Sequence, residues 1–100
     1  MIIDLDAHQG NGHETDFLND ESVSIVDAYN HHIYPVDLQA RKAVKVDIDV
    51  RSSHTDEDYL NMLKSVIPSE IESFKPDFIL YNAGTDCLAG DELGGLLPPQ

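Results

Sequence analysis

Short apolar runs alternate with polar stretches along this chain, and each run carries one of two periods. "MIIDLD" opens it as a strand, and "SVSIVDAY", "AVKVDIDV" and "DFILYN" repeat the signal at 22–29, 43–50 and 77–82. The third run alternates strictly. Val44, Val46, Ile48 and Val50 fall on one side and Asp47 and Asp49 on the other, which predicts one buried and one wet face. "DFILYN" lacks that alternation and predicts a strand covered on both faces.

Two segments carry the helical period instead. "NGHETDFLND" predicts a short helix starting at Asn11 or in the turn before it, with Phe17 and Leu18 on its inner face. From Thr55 to about Phe74, Tyr59, Leu60, Leu63, Val66, Ile67 and Ile71 recur at helical spacing, and Thr55 with Asp58 forms a capping pair. Pro68 is expected to kink this helix or split it in two. Strands alternating with helices predict an α/β fold with a parallel sheet. Four strands served by two helices, with a would-be central strand first, suggest an excerpt of a larger domain: residues 1–95 as its central part, incomplete at both ends, and 96–100 as a divergent tail.

Composition narrows the class. The chain has 100 residues, 41% hydrophobic and 25% charged, enough for one domain and too few for two. It holds 19 acidic residues against 6 basic ones, a net charge of −13 that argues against direct nucleic-acid binding and favours a cationic partner such as a Lys-rich tail or a metal ion. No run reaches membrane-span length, and the N-terminus lacks a secretory pattern. The single cysteine, Cys87, permits no intrachain disulfide and reads as a small buried hydrophobe.

The candidate chemistry lies where strands end. Asp4, Asp6 and His8 occupy every second position of "DLDAHQGNG", so on a strand they share one side. "YNAGTDCLAGD" delivers Asp86 shortly after the fourth strand. In parallel α/β sheets ligands gather beyond the carboxyl ends of strands, and if these two are neighbours, Asp6, His8 and Asp86 converge. Two carboxylates and an imidazole suit a catalytic zinc with an open fourth position. The bland alternative is turn-capping aspartates with a surface histidine. Gly10 and Gly12 read as residues that accept positive φ and let the chain turn sharply away.

"IIDLDAHQGNGHE", followed at a distance by "YNAGTDCLAGDELGGL", resembles the zinc-dependent histone deacetylase family, whose strand-end signature is D-x-D-x-H-x-G-x-G. The likeness runs on through "NHHIYP" to "LGG" and is strongest to the class IV branch. The resemblance implies a partial parallel-sheet, three-layer sandwich of the arginase/deacetylase type. It implies zinc on Asp6, His8 and Asp86, and a structural potassium held by Asp4, Asp27 and the main-chain carbonyls of Asp6, His8 and Ala28. Tyr34 is then expected to line the acyl-lysine channel, with Gly84 and the Gly90–Asp91 turn shaping the loop of Asp86.

The implied reaction is hydrolysis of N-ε-acyl-lysine amides in proteins such as histone tails, within deacetylase complexes of the nucleus and cytoplasm that regulate chromatin and transcription. The family's catalytic histidine dyad and oxyanion tyrosine have no match in this sequence. Alternatives are therefore an inactive truncated form or interaction module and, further off, a Mg²⁺-dependent haloacid-dehalogenase-like phosphatase, also built on a strand ending in D-x-D. An EF-hand fails because Gln9 stands at the sixth loop position counted from Asp4. Of the other histidines, His31 and His32 read as a loop pair, His13 as solvated or packing on the first helix, and His54 as a helix-approach residue. Asp56, Glu57 and Glu70 read as helix-surface charges.

Overall fold

The computed structural model describes residues 1–94. Its elements are strand β1 (Ile2–Asp4), helix α1 (Asn11–Asp16), strand β2 (Ile25–Tyr29), a 3₁₀ turn (Ala40–Ala43), strand β3 (Val46–Asp49), helix α2 (Asp56–Phe74) and strand β4 (Leu80–Asn82). The four strands form one parallel sheet in the order β3-β2-β1-β4, so the strand that opens the chain is central and β1 and β4 are neighbours. The α/β reading holds. Residue 95 and the expected tail at 96–100 lie outside the described residues.

Period-two alternation sorts the sheet's side chains into two faces. One face presents Met1, Ile3, Val26, Ala28 and Ile48, which pack with Ala7 and Val50 against Tyr59, Met62, Leu63, Val66, Ile67, Ile71 and Phe74 of α2. The opposite face presents Ile2, Asp4, Ile25, Asp27 and Tyr29, all buried. Here α1 docks, its His13 reaching Asp4. Register sets Asp4 between Asp27 and Asn82 on the neighbouring strands, so three polar side chains line up across this face, Asp4 and Asp27 buried and Asn82 at its exposed edge.

The sequence reading needs correction in several places. Helix α2 is not split at Pro68, which lies on its exposed side, where water can satisfy the carbonyl the ring leaves unbonded. Its N-terminus is the expected capping box: Thr55 Oγ1 accepts from Asp58 N–H and Asp58 Oδ2 from Thr55 N–H. Leu60, expected inside, points outward, and Met62 packs on the core. In α1 the buried residue is Glu14, whereas Phe17 and Leu18 follow the helix and are half-buried. β4 is not covered on both faces. Among the described residues it is an edge strand with one neighbour, and Phe78 is 68% and Tyr81 61% exposed. Cys87 is half-buried against the core.

One loop residue is conformationally costly. Val36 has φ +52°, a left-handed value that a β-branched side chain adopts poorly, and its side chain is exposed. Replacing it with glycine removes that strain and loses little packing. Val36→Gly is expected to raise stability by about 1 kcal/mol, after allowing for the greater unfolded-state freedom of glycine. A higher urea midpoint at unchanged slope is the readout, and a lower midpoint refutes the strain.

Candidate metal centre

β1 ends at Asp4, so Asp6 and His8 stand in the loop beyond its carboxyl end. The three alternate residues therefore do not share one strand face. Asp4 turns into the buried face of the sheet, while Asp6 and His8 turn toward the loop after β4. Side-chain bonds shape this turn: Asp4 Oδ1 accepts Asp6 N–H at 3.0 Å, and Asp6 Oδ1 accepts His8 N–H at 2.8 Å. Such Asx bonds hold a tight turn without a regular ladder. The turn-capping role and the ligand geometry thus coexist in the same carboxylates.

The pairing of β4 with β1 brings Asp86 across. Its Oδ1 accepts Ala7 N–H at 2.7 Å and its Oδ2 lies 2.7 Å from His8 Nδ1, with Asp6 Oδ1 at 3.3 Å from the same nitrogen. Gly84 permits this approach, since a Cβ there would lie 2.7 Å from Asp6 Cα. Asp6, His8 and Asp86 each offer a ligand atom, all within 4.8 Å of one another, and all three are half-buried.

Charge accumulates in this cluster. Burial and the neighbouring Asp86 carboxylate raise the pKa of Asp6. Burial also acts to raise Asp86, but the Ala7 N–H and the His8 imidazole outweigh it and hold that carboxyl below its ordinary range. For His8, burial disfavours the charged form, and the two carboxylates more than offset it, so its pKa is raised. Asp86 thus keeps its charge and Asp6 takes up a proton first. Two crowded carboxylates and an imidazole on an accessible rim are a donor set that fits a divalent cation, which removes their repulsion.

A second cluster lies beneath the first. Asp4 is 1% exposed, Asp27 and Glu14 0%. His13 Nε2 lies 2.8 Å from Asp4 Oδ2, Asn82 Nδ2 donates to Asp4 Oδ1 at 2.9 Å, and Gly10 N–H donates to Asp27 Oδ2 at 2.9 Å. Asp27 Oδ1, Glu14 Oε1 and His13 Nδ1 have no hydrogen-bond donor or acceptor assigned to them among the described residues. Burial above all, then the Glu14 carboxyl beside it, pushes the Asp27 pKa up to about 9. Asp4, His13 and Asp27 form a second potential ligand group. Gly10 serves close approach here and not positive φ, since its φ is −77° and a Cβ would collide with His13 and Asp4. Gly12 has open space around it.

Other candidates resolve differently from the sequence expectation. His13 is a partner of Asp4, not a solvated helix residue. His31 leaves the loop to bridge β3: its Nε2 lies 2.6 Å from Asp47 Oδ1 and its Nδ1 3.6 Å from Asp49 Oδ1, while Arg41 and Arg51 grip the same two carboxylates. His32 stays exposed, as expected. His54 Nδ1 accepts Arg51 N–H ahead of α2. Tyr34 is 81% exposed, and Gly90 carries the turn at φ +90° before Asp91. Glu70 accepts from Ser24 Oγ at 3.0 Å in addition to facing solvent. The burial of Glu14 and Gln9 escaped the sequence reading; a glutamate three residues inside a helix and a glutamine after a histidine look like surface positions, and no local signal marks them as buried.

Chain and fold resemble known proteins. The histone deacetylase domain model matches residues 1–98. Histone deacetylase 2 of Arabidopsis thaliana is 50% identical over 94 residues, covering 94% of this chain and 24% of that protein. Histone deacetylase clr6 of Schizosaccharomyces pombe is 30% identical over 94% of this chain and 25% of its own length. The crystal structure of the HDA15 HD domain superposes with a TM-score of 0.77 at 28% identity, over 99% of this chain and 31% of that one. The chain thus spans about a quarter of the length of these curated relatives. With the sheet order, the strand-end ligand cluster and these matches in agreement, the chain belongs to the histone deacetylase domain family.

Proposed function

We propose that this chain carries the metal-ligand half of a zinc-dependent lysine deacylase site of class IV type, with Asp6, His8 and Asp86 as the zinc ligands. The observation that carries the reading is the convergence of those three side chains from two parallel strand ends, within 4.8 Å, in a chain of the histone deacetylase family. Zinc held there supplies a Lewis acid that polarises an acyl carbonyl and lowers the pKa of a bound water. Asp86 keeps its carboxylate charged through the Ala7 N–H, and Asp6 and His8 are fixed in the turn that Asp4 caps.

The same reading gives the second cluster to potassium. Asp4 and Asp27, with the carbonyls of Asp6, His8 and Ala28, are its ligands, and the unpartnered Asp27 Oδ1 is an acceptor without a donor that a cation suits. Tyr34, on its exposed loop, lines the acyl-lysine channel. Protein acyl-lysines such as those of histone tails are the substrates, deacetylase-complex subunits the partners, and nucleus and cytoplasm the places of action. Class IV identity rests on the run from "NHHIYP" to "LGG". Among the described residues none fills the family's histidine dyad, since the tandem His31–His32 is tied to β3 or exposed.

Zinc titration of the purified chain tests the first reading. One equivalent per chain, by elemental analysis after gel filtration and by calorimetry, is the expected result. Absence of saturable zinc binding in a folded chain overturns it.

A further inference from the structure

The loop that carries Tyr34 hangs at both ends from the two neighbours of His8. At its start Asn30 N–H donates to Ala7 O at 3.0 Å. At its end Asp37 is held by Gln9, whose Oε1 accepts Asp37 N–H at 2.7 Å while its Nε2 donates to Asp37 O at 2.8 Å. The remaining Nε2 hydrogen goes to Glu14 Oε2 on α1 at 2.6 Å. Gln9 is 6% exposed, and of the uncharged side chains only an amide supplies two donors and an acceptor in this arrangement.

The clamp sits where the loop is strained. Val36, immediately before Asp37, has φ +52°, so the loop has a reason to relax unless its end is held. The apolar side chains of Tyr34, Val36 and Leu38 are all exposed, so side-chain burial contributes little to fixing it. Polar anchors must do so.

We propose that Gln9 is a positioning residue: it fixes the 31–36 loop, and so Tyr34, relative to the ligand segment Asp6–His8, without itself touching the metal or the substrate. Its meaning for substrate rests on the reading of Tyr34 as a channel residue, whereas the clamp stands on hydrogen bonds alone. Loosening Gln9 moves the loop and leaves the Asp6, His8 and Asp86 donors in place.

The test compares the isotope-labelled full 100-residue chain with Gln9→Met, which keeps length and loses every polar atom. Amide exchange at Asp37 is expected to accelerate at least ten-fold and the Tyr34 ring resonances to shift. Exchange at Leu5 and Leu80, bonded within the sheet, is expected to stay as in the parent, and Co²⁺ affinity to stay within two-fold. An unchanged Asp37 amide overturns the proposal, and so does equal acceleration at all three amides, the mark of a merely structural role. If Gln9→Met does not fold, the unaltered chain decides: slowly exchanging Gln9 side-chain amide protons support the clamp, and exchange at the rate of a free glutamine refutes it. A chain that binds no Co²⁺ yet loosens selectively at Asp37 keeps the clamp and sinks the metal reading, and Co²⁺ binding with Asp37 unmoved does the reverse.

Discussion

Asp86→Ala is expected to lower zinc affinity by at least about 100-fold, the upper end of what loss of even a supporting partner around a metal costs. Asp86 is one of the three proposed ligands and also ties the loop after β4 to the loop after β1 through Ala7 N–H. Alanine leaves that donor without its acceptor, a penalty of about 1–3 kcal/mol in a partly buried setting. Asp86→Asn separates the two roles. Its amide oxygen still accepts from Ala7, so the metal-free fold holds or gains stability as the repulsion with Asp6 disappears, while zinc binding weakens. In the parent, zinc at 100 times its dissociation constant stabilises the fold by about 2.7 kcal/mol, which thermal melts with and without metal read directly. Equal zinc-induced shifts in parent and both variants would refute the assignment of Asp86 as a ligand.

Asp27→Asn is expected to flatten the pH dependence of stability and to raise stability above neutrality. The folded-state pKa of Asp27, pushed up to about 9 by burial and by the Glu14 carboxyl, lies far above the unfolded value near 3.8. Stability linked to it is fully present below the unfolded value and is lost as pH rises toward about 9, because ionisation then proceeds freely only in the unfolded chain. The parent therefore loses stability steadily across that window, and the variant does not. Asparagine matches the shape of the neutral acid, keeps an oxygen for Gly10 N–H and offers an N–H to the unpartnered Glu14 Oε1. Urea midpoints at pH 5, 7 and 9 in potassium-free buffer provide the measurement. Parallel profiles for parent and variant refute the buried neutral acid. Added potassium reports on the proposed cation: a midpoint raised in the parent and not in Asp27→Asn supports its place between Asp4 and Asp27.

These two residues also show where sequence reading succeeds and stops. Asp86 was legible because ligand clusters in parallel α/β sheets lie beyond strand ends, and two strand-end motifs of the right chemistry are visible in the string. Asp27 was named only through family resemblance. Its burial follows from register, since pairing of β1 with β2 sets it beside Asp4 on a face that α1 closes. Single-strand alternation marks Asp47, on a wet edge strand, and Asp27, on a central strand, as polar positions alike. The exposed β4 was misread for a similar reason: an apolar run without alternation looks the same whether its faces are covered or open.

By itself the sequence determined the order and type of the elements, the capping of α2, the α/β class and the identities of the three candidate zinc ligands. Those properties are written in local periodicity, in hydrogen bonds between residues three apart, and in motifs whose chemistry is fixed by composition. Only the tertiary structure decided that Asp4 leaves the other two to join Asp27 and His13, that Glu14 and Gln9 are buried, that His31 bridges the carboxylates of β3, and that the Tyr34 loop hangs from either side of His8. Most of these depend on partners apart in sequence, 9 residues for Asp4 and His13, 16 for His31 and Asp47 and 28 for Gln9 and Asp37, and a local pattern holds no record of which distant surface will close over it.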